Sequence, residues 1–264
     1  MPDGAETNGA PGTMTPTEAS SSHWTPESVI STLKYQPPRN SASPVPFFHL
    51  LEQLKTTKRE GWRRFGFTHG ESVSDHMYRM AIITMLAPSA LRSKLDIDRC
   101  TRMALVHDMA ESLVGDITPV DGVSKPEKSR RERETMELLC GELLGNVDSG
   151  HAAKEIKDLW EEYEDSQTPE SVFVHDVDKV ELVLQMVEYE RYRDGRVDLS
   201  EFCNAACRIE LKEMREWTET VLREREEFWR GLKDATLSRE GGCLERVKKA
   251  WEEMDEKKAG GAQS

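Results

Sequence analysis

An all-α fold is what the pattern of apolar residues in this chain predicts, and three observations carry that expectation. Apolar residues recur at three- and four-residue intervals in long segments, as in Phe47-Phe48-His49-Leu50-Leu51-Glu52-Gln53-Leu54. Strand signals, apolar and polar residues in strict alternation, are sparse throughout. The segments are separated by helix-stopping positions such as Pro88, Gly115 and Asp194-Gly195. With 264 residues and 37% apolar content the chain can bury one good-sized core, so a single compact helical bundle is expected.

Taken in order, residues 1–26 are rich in Ser, Thr, Gly and Pro and hold too little apolar surface to offset the entropy of ordering, so they are expected to form a disordered tail. The main domain is placed at 27–235 and a charged extension at 236–264. A short helix from Pro26 to Lys34 precedes the turn at Pro37-Pro38. The helix from Phe47 to Lys55 opens the body of the domain, with His49 read as a partly buried structural histidine. Ser72 to Leu86 is apolar enough to be buried, with Ser74 or Asp75 as N-cap and His76 in the first turn. Asp96 to Val114 reads as one helix stopped by Gly115. The next helix, Glu127 to Leu144, begins with Lys128-Ser129-Arg130-Arg131-Glu132-Arg133-Glu134, whose mixed signs at i, i+4 intervals indicate a solvated face. Ala152 to Ser166 carries Trp160 and Tyr163 on its apolar side, and Val172 to Tyr189 is strongly apolar but interrupted by acids. Ser200 to Leu232 reads as one or two helices whose stripe of Phe202, Leu211, Met214, Trp217, Val221 and Phe228 suits a core or a dimer seam. Leu244 to Lys258 is weakly amphipathic through Val247 and Trp251.

The formal charge of −13 argues against a nucleic-acid polymer as ligand, because phosphate backbones are gripped by basic surface. Five cysteines with no CxxC pair read as reduced thiols of an intracellular, cytoplasmic protein, and the Cys203/Cys207 spacing reads as packing. No basic start is followed by an apolar core, and no apolar run approaches a membrane span, so neither a secretory signal nor membrane insertion is expected.

Chemistry concentrates in three segments. His107 and Asp108 end the apolar run Met103-Ala104-Leu105-Val106, and Glu111 follows at i+3 and i+4, which places it on the same helical face. An imidazole with carboxylates is a donor set for a divalent first-row metal or zinc. His76 opens a second apolar helix. In the third, Asp176 and Asp178 stand where a core helix prefers neither; an acid there is paired, hydrogen-bonded or ligating a cation. Asp178 is the better candidate because Val174, Leu182 and Gln185 share its face.

The ordered set His76, His107-Asp108, Asp178 on three apolar helices resembles the HD-domain metal phosphohydrolases. The words Glu71-Ser72-Val73-Ser74-Asp75-His76-Met77-Tyr78-Arg79-Met80-Ala81, Val106-His107-Asp108-Met109-Ala110-Glu111 and Val114-Gly115-Asp116-Ile117 narrow this to the 5′-deoxynucleotidases, bacterial and of the eukaryotic HD domain-containing protein 2 type. The likeness runs from about Phe47 to Phe228. It implies His76, His107, Asp108 and Asp178 as ligands of a divalent cation (Mn, Co, Mg, Fe or Zn) and Glu111 as catalytic acid/base. It implies Trp62, Asp116, Ile117, Thr118 and Pro119 as substrate contacts, a second cation at Glu111, Asp116 and the Ile117 carbonyl, and a homodimer. The bacterial relatives carry Arg immediately before the tryptophan, whereas this chain has Gly61, which leaves Arg59, Arg64 and Lys125 to meet the phosphate charge.

On this resemblance the expected reaction removes the 5′-phosphate from deoxyribonucleoside monophosphates. Hydrolysis of a nucleoside triphosphate or cyclic nucleotide is the alternative within the superfamily. A non-catalytic metal- or nucleotide-binding protein is the alternative outside it.

Overall fold

The computed structural model describes residues 23–232 and 242–261. Residues 1–22 of the expected tail and part of the expected joint to the C-terminal extension lie outside the described residues. Among those described, every regular element is helical, with one isolated bridge between Lys58 and Ser72. The expected all-α architecture holds.

Four short helices come first: α1 (Pro26–Ile30), α2 (Val45–Leu50), α3 (Glu52–Thr56) and α4 (Glu60–Arg63). His49 is exposed rather than partly buried and lies against the Tyr35 ring at 4.8 Å; Phe47 and Leu50 supply that segment's core contacts. α5 (Val73–Met85) is capped by Ser72, two residues before Ser74 and three before Asp75, the expected caps. Ser72 accepts the Asp75 amide and the Asp75 carboxylate accepts the Ser72 amide, a reciprocal box that satisfies two donors where Ser74 would satisfy one.

After α6 (Ser89–Arg92), the helix expected over Asp96 to Val114 divides into α7 (Ile97–Ala104) and α8 (Glu111–Val114). Between them the amides of Val106, Met109 and Glu111 reach back three residues, each at 3.0 Å, which winds the chain more tightly than an α-helix. Gly115 ends α8 at φ 76°, a backbone region open to glycine. α9 (Lys125–Glu137) continues into a π-helical turn at Leu138–Leu143, and α10 (His151–Asp165) follows.

The long α11 (Pro169–Tyr192) is the axis of the bundle, packed against α5, α7, α10 and, further on, α12 (Cys203–Ala206) and α13 (Lys212–Gly231). Contact on several sides explains why its sequence is apolar around much of its circumference: Phe173, Val174, Val177 and Val183 are fully buried. Met214 and Val221 of the expected stripe are core, but Phe202 is not part of that seam and turns toward a cavity wall. α14 (Cys243–Gly261) docks on α12 and α13 through Val247 and Trp251, whose indole N–H donates to the Ala206 carbonyl at 2.9 Å.

The reading of five reduced thiols is corrected. Cys203 and Cys243 are joined in a disulfide across 40 residues of sequence, while Cys100, Cys140 and Cys207 are free. No short spacing motif announces such a bridge, because the fold and not the local sequence brings its ends together. Thiol titration of unreduced, denatured protein is expected to count three thiols, and Cys243→Ser to lower unfolding free energy by about 2–4 kcal/mol. Denaturant unfolding with and without reductant measures the second.

Candidate metal centre and its cavity

The site lies where α5, the tight turn 105–110 and α11 converge. His76 Nε2 is 3.2 Å from Asp178 Oδ1 and 3.9 Å from Asp108 Oδ2, and His107 Nε2 is 3.2 Å from Asp108 Oδ2. Donor atoms of His76, His107 and Asp108 all fall within 4.8 Å of one another. Four of the sequence-predicted ligands are therefore brought together from three segments.

Both histidines present the same nitrogen to this point. The His76 Nδ1–H donates to Glu181 Oε2 at 2.6 Å, and the His107 Nδ1–H donates to the Ala104 carbonyl at 3.0 Å. Each ring is thereby fixed with Nε2 forward and free to ligate. His76 Nε2 is buried without a hydrogen-bond partner, as is Glu111 Oε2. Buried polar atoms left unpaired are costly, so this donor set fits a bound divalent cation.

The charges around the cluster are ordered by the same burial. Burial works against the ionised forms of Asp108 and Asp178, yet the two histidines and Arg59 hold both carboxyls well below the usual carboxylate range. Glu111 goes the other way. Burial, then Asp108 and Asp116, push its carboxyl well above its ordinary value. Asp116 Oδ2 accepts the Glu60 amide at 2.6 Å, and Arg59 sits between Asp108 Oδ2 (3.2 Å) and Asp116 Oδ1 (3.9 Å).

Arg59 gets there through the isolated bridge. The Arg59 amide donates to the Glu71 carbonyl at 3.2 Å and the Val73 amide to the Thr57 carbonyl at 2.9 Å, closing the 59–72 loop over the site. Of the three cations considered for the phosphate, Arg59 alone is held at the carboxylate cluster; Arg64 pairs with Glu201 at the cavity edge and Lys125 lies at the start of α9.

The cluster opens into a cavity of about 660 Å³, within the usual range for small-molecule sites. Trp62, Asp116, Ile117, Thr118 and Pro119 line it, as does Glu111. Opposite the metal cluster, Phe202 packs on Trp62 with ring centroids 4.3 Å apart.

Sequence reasoning missed several neighbours. Lys128 and Glu132 line the cavity instead of joining the solvated face of α9, and burial pushes the Glu132 carboxyl up to about 7. Glu181 went unassigned although the argument that singled out Asp178, an acid in an apolar helix, applies to it equally. Asp176 is sorted correctly away from the site: fully buried, it accepts the amides of Glu210 and Leu211 and the Lys179 ammonium. Asp176→Asn should therefore cost about 1–3 kcal/mol of stability and leave metal content unchanged. Asp178→Asn should do the reverse, holding stability within about 1 kcal/mol while retained metal drops. Denaturant unfolding and elemental analysis after desalting separate the two.

The HD domain family model matches residues 51–217. Over 197 residues the chain is 47% identical to 5′-deoxynucleotidase hdd1 of Schizosaccharomyces pombe, covering 75% of this chain and 98% of that protein. It is 43% identical over 188 residues to 5′-deoxynucleotidase YGK1 of Saccharomyces cerevisiae, covering 71% and 86% respectively. Among solved structures, the HD domain-containing protein YGK1 aligns with a TM-score of 0.57 at 34% identity, over 78% of this chain and 98% of that one.

Proposed function

The chain belongs to the HD domain family, and from that premise we propose that it is a metal-dependent 5′-deoxynucleotidase. Its reaction is hydrolysis of a deoxyribonucleoside 5′-monophosphate to the deoxyribonucleoside and phosphate. One observation carries the reading: a two-histidine, two-carboxylate cluster shares a nucleotide-sized cavity with the buried Glu111 carboxyl, one of whose oxygens has no hydrogen-bond partner. A binding protein that used the metal only for stability would not need that carboxyl.

His76, His107, Asp108 and Asp178 hold the divalent cation, and the donor set suits Mn, Co, Mg, Fe or Zn. When bound, such a cation polarises a phosphoryl oxygen and lowers the pKa of water toward neutrality. The residues do the rest. Arg59, already poised beside Asp108 and Asp116, meets the phosphate charge in place of the arginine that Gly61 lacks. Glu111 donates a proton to the sugar 5′-oxygen as that oxygen leaves, a role that the upward shift of its carboxyl favours. Trp62 flanks the substrate, with Asp116, Ile117, Thr118 and Pro119 along the sugar. A second cation at Glu111, Asp116 and the Ile117 carbonyl would be read as metal stoichiometry above one per chain.

The substrate is a free nucleotide, and the intracellular, cytoplasmic setting rests on that substrate rather than on the cysteines, two of which are bonded. No helix among the described residues is long and apolar enough to cross a membrane. A homodimer belongs to the proposal, supported by the exposed Tyr78, Ile82 and Met85 along one face of α5. A monomer mass by light scattering would remove it.

The test is phosphate release from chelator-stripped protein, with each metal restored in turn, using deoxy- and ribonucleoside monophosphates, dATP and cyclic AMP. Metal-dependent release from the deoxy monophosphates is expected, with Asp108→Ala inactive and Glu111→Gln reduced about 10²–10⁴-fold in kcat while retaining metal. Release from dATP or cyclic AMP alone would assign the superfamily alternative. Silence across the panel would assign a binding role.

A further inference from the structure

Behind the cavity wall, two carboxylates that do not line the cavity link the metal cluster to the substrate side. Glu181 is fully buried, accepts the His76 Nδ1–H at 2.6 Å, and is held from the other side by Arg79, whose Nε lies 2.8 Å away. Arg79 is itself anchored by Gln185 at 2.9 Å and Glu188 at 2.7 Å. Glu71 accepts the Trp62 indole N–H at 2.8 Å, and its backbone carbonyl accepts the Arg59 amide at 3.2 Å. Its own amide donates to the Tyr189 hydroxyl at 2.7 Å, and the Tyr189 ring meets Trp62 edge-on at 5.2 Å. Polar atoms of Glu71, His76 and Glu181 lie within 4.8 Å of one another.

We propose that Glu181 and Glu71 are positioning residues forming one relay from the metal ligand His76 to Trp62 and Arg59, so that metal binding and nucleoside binding are coupled through the protein. Glu181 orients the ring and makes Nε2 a stronger donor, because a carboxylate on the far nitrogen draws its proton and enriches the ligating one. Glu71 sets the indole plane with its side chain and Arg59 with its main chain. Polar atoms of His76, Glu181 and Glu71 lie within 4.8 Å of one another, so a displacement of the His76 ring on metal binding is passed through these packed side chains to the Glu71 carboxyl that holds the Trp62 indole.

The metal half of this inference is independent of any substrate, and the nucleoside half rests on the nucleotidase reading. Metal affinity is read by cobalt(II) absorption on chelator-stripped protein. Glu181→Gln is nearly isosteric and is expected to weaken cobalt binding about 10–100-fold. Arg79→Met changes only the outer, partly exposed end of the relay and is expected to weaken it several-fold while melting cooperatively. Unchanged affinity in both folded variants overturns the metal half.

The coupling is read by calorimetric binding of the four deoxyribonucleosides with and without cobalt. These probes lack the phosphate that would touch the cation directly. Cobalt should tighten binding of at least one of them by about fivefold or more in the parent chain, and Glu71→Ala should abolish that gain. Glu71→Gln, which can still accept the indole N–H, should restore most of it. Absence of any cobalt-dependent gain, or its full survival in Glu71→Ala, overturns the coupling. Neither result bears on phosphate release from monophosphates, so the two readings fail separately.

Discussion

Acid carried on a core helix is the constraint on which the rest of this structure depends. Three carboxylates of α11 lie within six residues of one another, and each is answered differently. Asp176 receives backbone amides and Lys179. Glu181 receives an imidazole and a guanidinium. Asp178 meets His76 at the point where the other ligand atoms converge. An acid in a helical core without such an answer would cost several kcal/mol, so the surrounding elements are fixed by what they must deliver. α5 brings His76 and Arg79, and the loop ahead of it brings Arg59 across the bridge to Ser72. The α7–α8 turn brings His107 and Asp108. Structural, positioning and ligating acids thus share one helix, separated by which side of it they leave from.

The tight winding at 105–110 does work that a regular helix would not. In a three-residue turn, side chains at i and i+3 eclipse, whereas an α-helix offsets them. The Glu111 amide on the Asp108 carbonyl places these two carboxylates in that relation. Burial together with the Asp108 charge pushes the Glu111 carboxyl up, while the two histidines and Arg59 hold the Asp108 carboxyl down. The opposite shifts of these two carboxyls therefore follow from local backbone geometry as much as from residue identity. The same turn explains the Ala104 carbonyl three residues behind His107, which accepts its Nδ1–H.

Much of this was legible in the sequence because helical periodicity and acids in apolar runs are local signals. The order of helices, the buried character of α5 and α11 and the Gly115 stop follow from patterns a few residues long, whereas the joining of His76, His107, Asp108 and Asp178 into one set was implied by the family resemblance. What was not legible depended on distant partners. Ser72 outcompetes Ser74 as a cap only because Asp75 can reciprocate. Lys128 and Glu132 look like any solvated i, i+4 pair until α9 is laid along the cavity. Phe202 fits a helical stripe in sequence but leaves it because the segment turns toward Trp62. The partnership of Cys203 with Cys243 spans 40 residues and has no spacing signature at all.

That last partnership bears on the cavity itself. The family pattern ends at residue 217, yet the aromatic wall formed by Phe202 against Trp62 leans on chain beyond it. α14 grips the wall segment at three points: the Cys203–Cys243 bond, the Trp251 indole on the Ala206 carbonyl, and Arg246 on the Ser200 carbonyl at 2.7 Å. Arg225 of α13, on Glu190 and Asp198 at 2.8 and 3.0 Å, braces the same segment from below. A short helix such as α12 has little stability of its own, since four residues barely complete one turn. Its position, and with it the Phe202 ring, is set by these tertiary ties. The end of the cavity at the histidine–carboxylate cluster is therefore built from helices within the span of the family match, while the wall at Phe202 is held in shape by the C-terminal extension.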